Sequence, residues 1–288
     1  MKFSVDDLCF CANVVRDMYN LQDARSQYNL SSGAYVPNGD AFTKYSPAYL
    51  VANEDVRLAM QKLSPMGMDV LTVAASGDQP MFYKIFGAAH VDTFDISYNA
   101  KIIMDIKTAA VQKLSWHKFK NFMHGLNSYR SVLDAPEYAQ VVSLCSPHVR
   151  KYVQKMHGMD YYMRGGVLVD ELPTKREYDV LQNCIDKPFN FIWTDVDSLH
   201  AKLNKKYNQI YLSNILQYGC QFDRIEKLVC NLKPFLKADG VIMLQVSPYF
   251  VMDELAVYDK LKRVVDAWAD IKMVNTRTHY MCMLVRKL

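Results

Sequence analysis

The chain has 288 residues, of which 50% are hydrophobic, so it can bury a substantial core and is not globally disordered. Its 34 basic and 30 acidic residues give a net charge of +4, too near balance to indicate a nucleic-acid-binding protein. The seven scattered cysteines include no CxxC pair, so we expect neither a zinc site nor a disulfide framework, and no bound metal.

The first 66 residues are predicted to form an N-terminal helical extension, with a helix near residues 5–19 and a polar, turn-rich stretch after it. The opening sequence MKFSVDDLCF has acids where a signal peptide needs an apolar core. No run approaches the roughly 20 apolar residues of a membrane span. A cytoplasmic location is therefore the expectation.

The strongest functional signal is a strand, turn and strand between residues 70 and 95. Residues 70–74 form a short apolar run without polar alternation, which predicts a strand buried on both faces of a parallel sheet. The small-residue turn Ala75-Ser76-Gly77-Asp78 follows, where Gly77 can adopt a positive φ and let a ligand approach the backbone. A second strand, 91–95, ends in Asp95, and an acid roughly 20 residues beyond such a turn binds ribose hydroxyls in dinucleotide folds.

This turn has a single glycine, whereas the dinucleotide fingerprint has three. A pyrophosphate cradle is therefore disfavoured, and a nucleoside without phosphates is the better prediction. An NAD-dependent dehydrogenase is the least favoured function for the same reason.

The later elements alternate between strands and helices. We predict a helix at 98–114, strands at 189–193, 209–212 and 241–246, a helix at 223–236 before Gly240, and an antiparallel hairpin from 271–275 and 280–286. This order predicts an α/β, doubly wound, Rossmann-like sheet that the closing hairpin makes mixed. Ligands in such sheets bind at the carboxyl ends of strands, which would bring together residues 76–79, Asp95, Asp195 and Asn214.

Residues 115–187 connect a helix to the next strand, and this connection is far longer than the usual length of about 2–6 residues in an α/β fold. We therefore predict that they form a helical insertion in the main domain, residues 67–288. The stretch from Lys113 to His157 contains seven basic residues and only two acids, together with several aromatic residues. One interpretation is a solvated helical cap with its own small core. The other is a cationic, aromatic lid that recognises an anionic or membrane-embedded acceptor, with Gly165-Gly166 approaching the ligand.

The order of these elements resembles the class I S-adenosylmethionine-dependent transferases, including their Leu-Lys-Pro segment, here at Leu232, before strand five. The stretches VLTVAASGDQP, VDTFDISYNAKIIMDIKTAAVQKLS, YMRGGVLVDE and QIYLSNIL resemble the DUF3419 family. That family includes the S-adenosylmethionine:diacylglycerol 3-amino-3-carboxypropyltransferases of betaine-lipid synthesis. Tyr45 and Glu54-Asp55-Val56-Arg57 resemble its tyrosine and Glu-Asp-Pro-Arg element, with Val56 in place of proline.

The resemblance implies S-adenosylmethionine as cofactor, with Asp95 holding the ribose and Asp195 the adenine amine. The cofactor-binding set that we predict is Tyr45, Ala75, Ser76, Gly77, Asp78, Asp95, Ile96, Asp195, Val196, Ser213 and Asn214. Tyr28, Tyr35 and Tyr45 are candidates for cation–π contact with the sulfonium. The candidates for a catalytic base are Asp78, His124, His157 and Tyr162, and the sequence does not choose among them.

The predicted activity is transfer of the 3-amino-3-carboxypropyl group to a small-molecule or lipid-like acceptor, with peripheral membrane contact left open. Methylation of a small molecule is the enzymatic alternative. A non-catalytic cofactor-binding protein is the alternative outside enzymes, and RNA modification is disfavoured by the near-neutral charge.

Overall fold

A computed structural model describes residues 48–49, 51–52, 54–128, 136–155, 163–164, 172–215, 222–246, 254–275 and 281–288. Several predictions lie outside these residues. They concern the helix at 5–19, Tyr28, Tyr35, Tyr45, His157, Tyr162, Gly165 and Gly166, together with the side chain of His124.

The centre of the structure is a seven-stranded sheet. Its strands, in chain order, are β2 (Asp69–Val73), β3 (His90–Asp95), β5 (Asn190–Trp193), β6 (Tyr207–Tyr211), β7 (Leu236–Val246), β8 (Ala269–Asn275) and β9 (Met281–Lys287). They lie in the order β5-β3-β2-β6-β7-β9-β8, with β9 antiparallel to both of its neighbours. Two short strands, β1 (Ala48–Tyr49) and β4 (Met163–Arg164), pair in parallel in a separate small sheet.

Helices flank the sheet and build the insertion. They are α1 (Val56–Leu63), α2 (Asp78–Ile85), α3 (Tyr98–Lys113), α4 (Trp116–Ser128), α5 (Tyr138–Val141), α6 (Pro147–Lys155), α7 (Lys175–Cys184), α8 (Phe222–Leu232) and α9 (Glu254–Val265). Short 3-10 segments occupy Val142–Leu144, Leu199–Lys202 and Lys233–Phe235. Within the described residues, no helix combines the length and the apolar character needed to cross a membrane.

The central strands are buried on both faces, as their continuous apolar sequence predicts. Since successive side chains of a strand point to opposite faces, Val70 packs into one core and Leu71 into the other. The first core includes Ile103 of α3, and the second includes Val229 of α8. The predicted mixed, doubly wound sheet is therefore confirmed, as is its closing hairpin.

Two predicted boundaries were wrong. The helix expected at 223–236 ends at Leu232, because Pro234 lies in a 3-10 turn that follows it. Gly240 lies inside β7 rather than before it, next to Asp239 with a φ of 57°. That left-handed residue is a local irregularity in a long strand, which the sequence pattern did not indicate. Helix α9 was not predicted, although Leu255, Tyr258, Leu261 and Val265 have helical spacing.

The N-terminal extension and the insertion contact each other. Besides the β1 and β4 pairing, Arg57 of α1 donates to both carboxylate oxygens of Glu177 on α7, at 2.9 and 3.0 Å. Arg57 also donates to the carbonyl of Leu172 at 3.3 Å. These contacts join the predicted N-terminal extension to the predicted insertion.

Candidate functional site

The order of the strands reverses between β2 and β6. The chain runs from β2 outward through β3 to β5, and the later strands β6 and β7 add on the other side of β2. In parallel α/β sheets this reversal opens a crevice at the carboxyl ends of the two central strands. The predicted site residues follow strands at that edge. Ala75–Asp78 follow β2, Asp95 ends β3, Asp195 follows β5, and Ser213 and Asn214 follow β6.

The turn after β2 has a backbone that depends on glycine. Gly77 precedes α2 with a φ of 84°, and Ala75 also has a positive φ, of 43°. A Cβ added to Gly77 would lie 3.1 Å from the Cα of Met104 on α3. Since both the dihedral angle and the close approach of α3 exclude a side chain, the glycine fixes the path of the turn.

Asp95 joins the end of β3 to this turn. Its Oδ2 accepts a hydrogen bond from the amide of Ala75 at 2.9 Å, and its Oδ1 accepts one from the amide of Ser97 at 2.8 Å. Burial raises the pKa of this carboxyl from 3.8 to about 6, against the effect of the amide donors. The backbone amide of Ile96 is a further donor to this carboxylate. No lysine or arginine among the described residues bonds to it.

Asp78 lies beneath the turn, and its role as a catalytic base stays a prediction. Its Oδ1 accepts from Lys107 at 2.6 Å, and its Oδ2 accepts from Ser76 Oγ at 2.8 Å and from the amide of Ala52 at 2.7 Å. Asp78 is 6% exposed and the side chain of Lys107 is fully buried. A carboxylate so engaged is a structural anchor for the turn.

The pKa of Lys107 is lowered by burial, and the carboxylate of Asp78 opposes that shift. Removing either partner would leave the other as an isolated charge inside the protein. Sequence analysis did not identify Lys107, because its position on a helical face gives no signal of a partner in the turn.

The ends of β3 and β5 are held side by side. The amide of Thr194 donates to the carbonyl of Asp95 at 3.0 Å, and the indole of Trp193 donates to the carbonyl of Ile96 at 2.8 Å. Asp195 Oδ1 accepts from the amide of Ser198 at 2.7 Å. The structure therefore brings the predicted residues Asp95 and Ile96 close to Asp195 and Val196. The side chain of Val196, however, is buried in a core.

Aromatic rings lie beside this pair of strand ends. The ring of Tyr98 is 5.1 Å from that of Trp193 and 5.6 Å from that of His148, both in edge-on geometry. His148 belongs to α6 of the insertion. The insertion thus reaches the carboxyl edge of the sheet next to Asp95.

The end of β6 binds a residue that sequence analysis did not place in the site. Glu54 is fully buried, and it accepts hydrogen bonds from Tyr211 Oη at 2.7 Å, from the amide of Asn214 at 3.0 Å and from Ser213 Oγ. Ser213 has a φ of 55°. Burial raises the pKa of Glu54, and these donors oppose that shift. The one signal for it was its place in the Glu-Asp-Val-Arg element.

No catalytic base is assigned among the described side chains. Asp78, His124, His157 and Tyr162 remain predictions as bases, and so does Tyr45 as a cofactor contact. In the part of the chain that the structure describes, no cluster of histidine, cysteine and acidic residues could hold a metal ion.

No protein-family model and no curated protein sequence matches the chain. It is similar in structure to magnesium protoporphyrin IX methyltransferase from Synechocystis with bound S-adenosylmethionine, at 13% identity over 100% of both chains and a TM-score of 0.43. It is also similar to a TehB-like S-adenosylmethionine-dependent methyltransferase from Corynebacterium glutamicum, at 9% identity over 94% of this chain and 100% of that one, with a TM-score of 0.40.

A third similar structure is the N-methyltransferase NodS from Bradyrhizobium japonicum in complex with S-adenosyl-L-homocysteine. It is 7% identical over 81% of this chain and 85% of that one, with a TM-score of 0.37. The fold class follows from the strand order described above. The low identities and the TM-scores below 0.5 give these likenesses no weight for function.

Proposed function

We propose that the chain is a cytoplasmic S-adenosylmethionine-dependent transferase. The observation that carries the proposal is the geometry of Asp95 at the reversal of strand order. Its carboxylate is held by the amides of Ala75 and Ser97 and has no cationic partner among the described residues. Two acceptor oxygens fixed in this way suit the two vicinal hydroxyls of a ribose.

A nucleoside without phosphates fits this edge better than a nucleotide. Phosphates bind helix N-termini through free amides and the positive end of the helix dipole. Here the first residue of α2 is Asp78, whose carboxylate occupies the space beneath the turn and already pairs with Lys107. The amide of Asp78 itself donates to Ser76 Oγ at 3.4 Å, so it is less available to a second anion.

Asp195 would bind the adenine of the same ligand. It follows β5, next to Asp95 and the Trp193 contact with Ile96. One oxygen of Asp195 is engaged by the amide of Ser198, which leaves the other to accept from an exocyclic amine. The rings of Tyr98 and Trp193 would lie near the base, where aromatic side chains contribute apolar contact.

The group transferred is decided by which carbon of the sulfonium is in line with the acceptor, and positioning supplies most of that catalysis. Resemblance to the DUF3419 family favours the 3-amino-3-carboxypropyl group, with methylthioadenosine as the leaving product. Methyl transfer, which leaves S-adenosylhomocysteine, would use the same Asp95 and turn contacts and is the second candidate.

The insertion would recognise the acceptor, which we propose is a small molecule or a lipid-like molecule. In α4 the exposed side chains include His117 and Lys118, and Lys120 lies 4.9 Å from the centre of the Trp116 ring. The insertion also reaches the carboxyl edge through His148. The cationic and aromatic side chains of the insertion would suit an anionic head group, including one at a membrane surface.

The test is incubation of the purified protein with S-adenosylmethionine and a fractionated cell extract, followed by mass spectrometry of the nucleoside products. Protein-dependent methylthioadenosine would support aminocarboxypropyl transfer, and S-adenosylhomocysteine would support methyl transfer. Binding of the cofactor without either product in any fraction would favour the non-catalytic alternative. The absence of any binding would contradict the proposal.

A further inference from the structure

Ala52 and Glu54, which precede α1, bind to both sides of the reversal point of the sheet. The amide of Ala52 donates to Asp78 beneath the turn after β2, and Glu54 binds the residues that end β6. The two anchors lie on opposite sides of the crevice between β2 and β6. This arrangement therefore places the carboxylate of Glu54 at the edge where the cofactor is proposed to bind.

The carboxylate of Glu54 is surrounded by neutral donors. They are the hydroxyls of Tyr211 and Ser213 and the amide of Asn214. No lysine, arginine or histidine among the described residues bonds to it, and its side chain has no exposure to solvent. A buried carboxylate without a cation is costly, and its field is not cancelled locally.

A glutamine at position 54 could make the same set of contacts. Its side-chain oxygen would accept from Ser213 and Asn214, and its amide nitrogen would donate to the oxygen of Tyr211. Since a neutral amide would tether this residue at a smaller desolvation cost, tethering alone does not account for a carboxylate here. Burial raises the pKa of Glu54 and so disfavours its ionised form, which a cationic ligand in the crevice would restore. The ionised carboxylate is therefore the feature that a ligand would explain.

We propose that Glu54 is a specificity-determining residue whose negative charge favours a cationic ligand at the crevice, the sulfonium of S-adenosylmethionine, over its neutral thioether product. This inference rests on the proposed function. Glu54 acts through space and through the residues at the end of β6. It takes no part in bond making, so it is a positioning residue with an electrostatic effect.

The experiment measures the dissociation constants of S-adenosylmethionine and S-adenosylhomocysteine by titration calorimetry for wild type, Glu54→Gln and Asp92→Asn. The quantity of interest is the ratio of the two constants, because contacts to ribose and adenine are common to both ligands and cancel in it. We expect Glu54→Gln to shift the ratio by about tenfold against the cation. That size corresponds to unit charges roughly 10 Å apart at an effective dielectric constant of about 20.

Asp92→Asn is the matched control. Asp92 is also a buried acid that accepts from a β6 tyrosine, Tyr207 at 2.8 Å, but it pairs with Lys205. We expect the ratio to be unchanged in this variant. Equal losses of affinity for both ligands in Glu54→Gln, with an unchanged ratio, would overturn the inference and leave the proposed function standing. If wild type binds neither ligand, the proposed function fails and the inference fails with it.

Glu54→Gln is close to isosteric, and its unfolding temperature without ligand should equal or exceed that of wild type, because a buried charge is removed. If this variant does not fold, Tyr211→Phe serves instead. It removes one donor to the carboxylate, disfavours the ionised form and should shift the ratio in the same direction by a smaller factor. An unchanged ratio in Tyr211→Phe would count against the inference.

Discussion

The two ends of β6 bind acids in different ways. At the amino end, Tyr207 donates to Asp92, which also accepts from Lys205 at 2.7 Å. At the carboxyl end, Tyr211 donates to Glu54, whose other donors are the neutral groups of Ser213 and Asn214. Asp92 is neutralised by a lysine, whereas Glu54 has no cationic partner among the described residues.

The same contrast holds for the neighbouring strands. At the amino end of β2, a hydrogen bond from Lys237 lowers the pKa of Asp69. At the carboxyl end of β3, burial raises the pKa of Asp95 to about 6. Acids paired with cations stabilise the fold, whereas desolvated acids without cations oppose it at neutral pH. A protein retains such acids where a ligand supplies the missing partner.

Asp78, at the carboxyl edge, does have a buried cation, Lys107, and removal of this lysine should have the largest effect. Lys107→Met would leave the carboxylate of Asp78 buried without its partner. We expect unfolding to require about 3–5 kcal/mol less free energy, measured by chemical denaturation. The double variant Lys107→Met with Asp78→Asn should recover part of this loss, because the isolated charge is gone.

Lys113→Met is the control for that prediction, because Lys113 is an exposed residue of the same helix. It should change the free energy of unfolding by no more than about 0.5 kcal/mol. Similar small changes in Lys107→Met and Lys113→Met would show that the ion pair with Asp78 is not an anchor of the turn.

The contrast between the sheet edges was only partly predictable from the sequence. The strands around Val70 and Asp95 were predictable, because burial on both faces demands continuous apolar runs that are visible locally. The position of Asp95 followed from its spacing to Gly77. The partners of the buried charges were not predictable: Lys107 is 29 residues from Asp78, and Glu54 is 157 residues from Tyr211.

The partners of Asp78 were hidden from sequence analysis for the same reason. An acid in a ligand-binding turn is a reasonable candidate for a base when only its neighbours in sequence are known. The structure adds a lysine from α3 and the amide of Ala52, which turn the side chain inward. Burial of charges is decided by tertiary contacts, so pattern reasoning fails first at such residues.

The two acids of β3, Asp92 and Asp95, should differ in their effect on ligand affinity. Asp95→Ala should weaken binding of S-adenosylmethionine by about 1–3 kcal/mol, because ribose hydroxyls lose their acceptors. Asp92→Ala should leave that affinity unchanged and lower stability instead, since Tyr207 and Lys205 lose their acceptor. Calorimetric titration and denaturation of both variants check the pair. Equal affinity of Asp95→Ala and wild type would remove Asp95 from the site.

The third prediction concerns pH. The raised pKa of Asp95 means that the folded protein holds its proton more tightly than the unfolded chain does. Its contribution to stability without ligand should therefore grow as pH falls through about 6. Ribose binding needs the carboxylate, so affinity for S-adenosylhomocysteine should fall about tenfold between pH 7 and pH 5. The Asp95→Ala variant should show a flatter profile, and matching profiles for the two proteins would assign the effect to another group.

The smallest effect is expected at the amino edge, where loss of the exposed Lys205 leaves Asp92 with two other hydrogen-bond donors. The side chain of Lys205 is 43% exposed and Asp92 keeps its hydrogen bonds from Tyr207 and Asn190, at 2.8 and 3.1 Å. Lys205→Ala should therefore lower the free energy of unfolding by about 1 kcal/mol or less, and by less still at high salt. Affinity for S-adenosylmethionine should not change, because this pair lies at the opposite end of the strands from the proposed crevice. A loss of affinity in Lys205→Ala would mean that charges at the amino edge also act on the ligand, and the division between the two edges would not hold.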